Sequence, residues 1–286
     1  MSANEPGRWR RIVSGLFLVW AWGFALAVIV GLVTDLPFSL TGSLAVLFFA
    51  LALVRAPRRD DEPPVEVASP VRGRWTVVHS PASKVPSHGV RGYGQSHAVD
   101  IIHPRPAGTT PSYPLVGGFR RPEGFSSFGR PVHAVADGEV VRVVTWCRDH
   151  RSRTSWLAFV YLFVVEGFRD LGGAPGVVGN HVTIDHGNGV HSLYAHLRRG
   201  SVRVAVGDRV SAGDVIGEVG NSGNTSEPHL HFQLMDRPSV MNAAGLPFRF
   251  TGIRQREGDV DRGWSRAEPQ QAIVPALPAN FQIFEA

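Results

Sequence analysis

The chain has 286 residues, 43% of them hydrophobic, and one cysteine, Cys147, which excludes an intrachain disulfide and any cysteine zinc cluster. Formal net charge is +5 and the sequence pI about 10.1, carried by arginine, with Lys84 as the single lysine. The arginines are scattered, with no basic helix or aromatic–basic module, so no nucleic-acid partner is expected; cationic character instead suits an anionic wall or lipid surface, or reflects a GC-rich genome.

Two apolar runs come first, over 12–33 and 36–54, each close to the ~20 residues that cross a bilayer as a helix. Only Thr34 and Asp35 separate them, which predicts a transmembrane helical hairpin within 1–56 and membrane lipid as a partner. A cleaved signal peptide ending near Ala25-Leu26-Ala27 competes, but the apolar run continues and a second succeeds it. Arg8, Arg10 and Arg11 precede the hairpin and Arg55, Arg58 and Arg59 come after it, so the positive-inside rule puts both ends in the cytoplasm.

Asp60-Asp61-Glu62-Pro63-Pro64 reads as an extended linker within 57–73, keeping the anchor free of packed contact with the rest of the chain. Over 74–250 short apolar runs alternate with Gly, Pro and Asn. Runs over 132–136 and 139–144 flank Asp137-Gly138, and runs over 182–185 and 192–196 flank His186-Gly187-Asn188-Gly189, both hairpin signals. Further runs over 202–206, 215–219 and 229–234 complete an all-β reading, an antiparallel sandwich or barrel-like domain, with a C-terminal extension over 251–286. The segment 206–217 is similar to the hammerhead of biotinyl and lipoyl carriers, but it has no modifiable lysine, which excludes a carrier. An insertion near 147–178 holds an apolar stretch over 156–165, too short to span a bilayer. It reads as a strand, or as a helix lying on a membrane surface.

Chemistry concentrates in the histidines. Gly220-Asn221-Ser222-Gly223 leads to His229-Leu230-His231, whose two imidazoles share one face of a strand and suit one zinc ligand beside a catalytic group. A third, His196, lies in Tyr194-Ala195-His196-Leu197 on a neighbouring strand. His79, His103, His133, His150, His181, His186 and His191 stand near turns or strand ends and read as ordinary polar residues.

With these motifs in order, the chain resembles the lysostaphin-type (LytM-domain) zinc endopeptidases over roughly residues 75–234. The resemblance implies zinc held by His231 and Asp100, with His196 and His229 as catalytic imidazoles. The family's first metal motif, His-x-x-x-Asp, departs here: Ser96-His97-Ala98-Val99-Asp100 puts serine at the ligand position. His97, three residues from Asp100, reaches the same face only through a bulge, and His88 in Pro86-Ser87-His88-Gly89 is the other donor, so the first ligand is His88 or His97. Two imidazoles and a carboxylate leave zinc a fourth position for water, and the implied substrate is a peptide bond in peptidoglycan. Such a substrate lies outside the cytoplasm, against the arginine distribution. The alternative is a degenerate LytM module that binds or activates other wall hydrolases, which the Ser96 departure favours.

Overall fold

Helices α1 (Arg8–Gly15), α2 (Phe17–Val33) and α3 (Phe38–Ala52) open the computed structural model, which describes residues 7–104, 115, 118–263 and 276–286. Neither α2 nor α3 carries a charge, and Pro37 stands at the N-cap where α3 restarts after the break. The two helices meet through Trp20 on Phe48 and Phe24 on Phe49, with ring centroids 6.3 and 5.7 Å apart. Two helices joined near Asp35 therefore form, but the first apolar run is broken, with α1 and α2 bent by 56°. No single described helix is long and apolar enough to cross a membrane; only the bent pair together reaches that length.

The expectation that this segment stands clear of the β-domain fails. Arg11 is buried and donates to both carboxylate oxygens of Asp236, at 3.2 and 2.5 Å. Arg59 also approaches Asp236, and Asp60, inside the stretch read as linker, accepts from Arg91 and meets His97. Acidic residues that suit a solvated linker here find cationic partners, and reach gives way to docking.

The strands are β1 (Val65–Ala68), β2 (Arg74–His79), β3 (Val99–Ile102), β4 (Pro131–His133) and β5 (Gly138–Val144). After α4 (Trp156–Asp170) and α5 (Ala174–Val178) come β6 (Asn180–Asp185), β7 (His191–Leu197), β8 (Arg209–Val210) and β9 (Val215–Glu218). The chain ends with β10 (Leu230–Met235), β11 (Gly245–Leu246), β12 (Phe248–Thr251), β13 (Arg254–Val260) and β14 (Gln282–Glu285). The main sheet runs β13-β14-β2-β3-β10-β7-β6-β5-β8, with β11 also on β10. All its described pairings are antiparallel, whereas β1 and β12 pair in parallel and β4 pairs with β9. The path has two ends among the described residues, so no barrel closes. Residues 264–275 of the C-terminal extension lie outside the described residues, while its β13 and β14 join the main sheet through β2.

Of the two hairpins read from sequence, β6–β7 forms across His186–Gly189 as expected. The Asp137-Gly138 hairpin does not: β4 pairs with β9, and β5 with β6 and β8. A Cβ on Gly138 would stand 2.5 Å from the Asp185 carbonyl oxygen, so this glycine lets the chain turn a corner between sheets rather than fold back. The run over 202–206 forms no strand. The apolar stretch at 156–165 is helical, because Ser155 caps α4 by accepting from Ala158 N at 3.2 Å.

Strand alternation sorts the sheet into two faces. Val99 and Ile101 of β3 and Leu230, Phe232 and Leu234 of β10 enter the main core with Tyr194 and Phe250. Full burial of side chains this size contributes roughly 1.5–3 kcal/mol each. The intervening Asp100, His231 and Gln233 point to the other face, also buried. That face carries the chemistry.

Candidate metal centre

Asp100 sits opposite His231 in the β3–β10 ladder, so the two side chains meet on one face. Its carboxylate oxygens lie 2.9 Å from His231 Nδ1 and 2.9 Å from His88 Nε2. His88, Asp100 and His231 each present one donor atom, all within 4.8 Å of one another, as three ligands of one cation would. His97 is elsewhere: on the turn before β3 it directs Nε2 to Asp60 at 3.1 Å. No bulge on β3 turns it toward Asp100, and an extended chain sends side chains three apart to opposite faces.

Gln233 prepares His231 for this role. Its amide nitrogen donates to the Tyr93 carbonyl at 2.9 Å, which leaves Oε1 to accept from His231 Nε2–H at 2.8 Å. With Nε2–H so engaged, Nδ1 is the nitrogen turned to Asp100: it donates to the carboxylate while the ring is charged and becomes a ligand atom on losing that proton. Burial opposes charge on His231, but the bonds to Asp100 and Gln233 prevail and its pKa is raised. Burial likewise opposes charge on Asp100, yet the surrounding imidazoles, His88 foremost, hold it well below the usual carboxylate range.

His196 and His229 complete the cluster, with ring centroids 4.8 Å apart and His196 5.7 Å from His231. His196 Nδ1 donates to the Ser222 carbonyl at 2.8 Å and His229 Nδ1 to the Glu227 carbonyl at 2.8 Å, so both present an unprotonated Nε2 to the site. Burial lowers both pKa values, and His229 and His231 lower that of His196 further. Asp100 Oδ1, 3.6 Å from His229 Nε2, partly offsets burial there.

Local backbone places His196. Between the pairs Asn180–Leu197 and Val182–Tyr194, β7 carries one residue more than β6, and His196 takes φ 60°. A bulge with a left-handed non-glycine residue re-aims the side chain out of regular alternation. The glycine-rich loop supplies the acceptor: Gly223, at φ 80°, approaches so closely that a Cβ would collide with the Gly179 backbone nitrogen. Ser222 Oγ pins the loop by donating to the Leu197 carbonyl at 2.8 Å.

Sequence reasoning missed two residues here. Gln233 is two positions after His231, so the same strand alternation was the available signal. His79 pairs opposite Asp100 only because β2 bulges between Val77 and His79, and its ring lies 5.0 Å from that of His88. Nothing in the sequence marks that bulge.

Residues 164–243 match the family model described as Peptidase family M23. The glycyl-glycine endopeptidase ALE-1 of Staphylococcus capitis is 33% identical over 127 residues, 44% of this chain and 27% of that protein. The DD-carboxypeptidase/endopeptidase Mpg of Neisseria meningitidis serogroup B is 46% identical over 107 residues, 37% of this chain and 23% of that protein. Lysostaphin of Staphylococcus staphylolyticus is 32% identical over 127 residues, 44% of this chain and 20% of that protein. The chain thus spans about a quarter of the length of these curated relatives. The matched stretch contains His196, His229 and His231, while His88 and Asp100 reach the same site from outside it. The similarity to Peptidase family M23 thus takes in β7 and β10 and three of the five site residues, His196, His229 and His231.

Proposed function

We propose that the chain is a zinc-dependent endopeptidase that hydrolyses peptide bonds in peptidoglycan stems or cross-bridges. The observation that carries this is the convergence of His88, Asp100 and His231 beside two imidazoles whose Nδ1 protons are held by backbone carbonyls. Relatives named as glycyl-glycine and DD-endopeptidases support the substrate class. The alternative of a metal-free binding module draws on Ser96; His88 beside Asp100, a donor in place of that serine, supports the hydrolase instead.

The donor set fits zinc: two imidazole nitrogens and a carboxylate oxygen, with the tautomer of His231 set by Gln233. His88, Asp100 and His231 would hold the zinc, which would supply Lewis acidity toward the scissile carbonyl and lower the pKa of water. The remaining work falls to the protein. His229 and His196 stay neutral at pH 7, and His229, next to Asp100, is the stronger base of the two and takes the proton of the attacking water. The resulting imidazolium, next to Asp100, then donates the proton to the leaving amine. His196, fixed by Ser222 with its unprotonated Nε2 toward the site, accepts a hydrogen bond from the attacking water and orients it from the other side.

We further propose that the apolar α2–α3 pair holds the chain at membrane lipid, with the site outside the cytoplasm. The exposure of large side chains such as Leu32 and Phe38, at 80 and 84%, supports the lipid contact. A peptidoglycan substrate outweighs the arginine distribution for orientation.

The test is digestion of purified peptidoglycan by the full chain in detergent, before and after chelation and zinc replacement. Peptide fragments that vanish on chelation and return with zinc are expected. Unaltered peptidoglycan with a zinc-loaded protein contradicts the proposal.

A further inference from the structure

The five site residues open on a cavity of about 770 Å³ whose lining also includes Phe17, Val54 and Arg55 from the N-terminal segment. That segment is a fixed part of the wall: Arg11 is locked to Asp236, and Asp60 to Arg91 and His97. Among the lining residues the cations are Arg55 and Arg91, and Arg91 is neutralised by Asp60. Arg55 is half-buried, and no carboxylate among the described residues pairs with it. Its Nη1 donates to the main-chain carbonyls of Ala52 and Val54, at 2.6 and 3.3 Å, just after α3. Those bonds orient the planar guanidinium without neutralising it and leave further N–H donors unused. Phe17, Phe159 and Leu162 give the same cavity apolar walls, where a charge attracts a partner more strongly than in water. Asn224, another lining residue, keeps a buried side-chain carbonyl without a hydrogen-bond partner, as a site for a peptide N–H would.

We infer that Arg55 forms a carboxylate subsite, so that the substrate is a peptide presenting a free carboxylate to the N-terminal segment. The inference rests on the endopeptidase reading. A guanidinium and a carboxylate make a bidentate, charge-assisted pair that a carboxamide cannot reproduce. The segment that resembles a mere anchor then selects substrate.

The test uses the full chain in detergent with its metal chelated, so that binding is measured without turnover. The probes are an N-acetylated stem tetrapeptide with a free C-terminal carboxylate and the same peptide as its carboxamide. The wild type is expected to bind the acid at least ~10-fold more tightly, the scale of one charged hydrogen bond. Arg55→Ala is expected to abolish that preference while leaving carboxamide affinity within about twofold, and Arg55→Lys to restore part of it. Equal affinities in the wild type, or a preference that survives Arg55→Ala, would overturn the inference. So would weaker binding of phosphatidylglycerol vesicles by Arg55→Ala with the acid preference intact, which would assign the guanidinium to a lipid phosphate. Failure of the endopeptidase reading shows separately, as no turnover of purified peptidoglycan once zinc is restored.

Discussion

Gln233 accepts from His231 Nε2–H at 2.8 Å while its own amide is oriented by the Tyr93 carbonyl. This one contact determines which imidazole nitrogen faces Asp100. Replacing Gln233 by Ala frees the ring and its tautomer, and zinc affinity is expected to fall about 10–100-fold. Competition with a chelator of known affinity measures it, and an unchanged zinc affinity would show that Gln233 does not set His231.

His88 and His97 separate cleanly in experiment. His88→Ala is expected to lose zinc, whereas His97→Ala, whose imidazole faces Asp60, is expected to keep it. Metal analysis of the two purified variants decides, and zinc loss confined to His97→Ala would reverse the ligand assignment.

His196→Ala and His229→Ala are each expected to retain zinc and to lower peptidoglycan hydrolysis by at least ~10²-fold, the usual scale for a lost acid–base group. The loss should be in kcat. A variant hydrolysing at the wild-type rate would remove that residue from the catalytic pair.

The strand-borne part of this site is legible in the sequence, because period-two alternation and short motifs are local. His229 and His231 are identifiable from alternation, Asp100 and His196 from short motifs that resemble the LytM family's, and the structure gathers all four. His88 is ambiguous in sequence because it reaches Asp100 from a loop, where no periodicity applies. The docking of the N-terminal segment is invisible for a related reason. Asp60 finds Arg91 and His97 at separations of 31 and 37 residues, and Arg11 finds Asp236 at 225. The Asp137-Gly138 corner misleads because a glycine turn looks alike whether the chain reverses or changes sheets.

That docking has a measurable energy. Asp236→Ala leaves the Arg11 guanidinium buried without its carboxylate, a loss of about 3–5 kcal/mol for such a pair. Limited proteolysis is expected to open the stretch between α3 and β1 in this variant and spare it in the wild type. Equal protection in both would mean that the ion pair does not hold the segment.

Acid stability depends on His181, which is 1% exposed and donates Nδ1–H to the Gly179 carbonyl at 2.8 Å. Burial lowers its pKa from 6.5 to about 4, so the folded state binds fewer protons than the unfolded state between these values. Its stabilising contribution is complete above pH 6.5 and is lost as pH falls through 4, by about 3 kcal/mol at ~1.4 kcal/mol per unit. Urea unfolding of the chelated protein from pH 7 to 4 should show a smaller decline for His181→Gln. Parallel declines would place the acid sensitivity elsewhere.

The most direct measurement is anomalous diffraction at the zinc edge from crystals of the zinc-loaded chain. One peak within about 2.0–2.2 Å of His88 Nε2, a carboxylate oxygen of Asp100 and His231 Nδ1 is the expected result. A peak at another set of side chains, or none at this cluster in a zinc-loaded crystal, would contradict the metal centre and the hydrolase built on it.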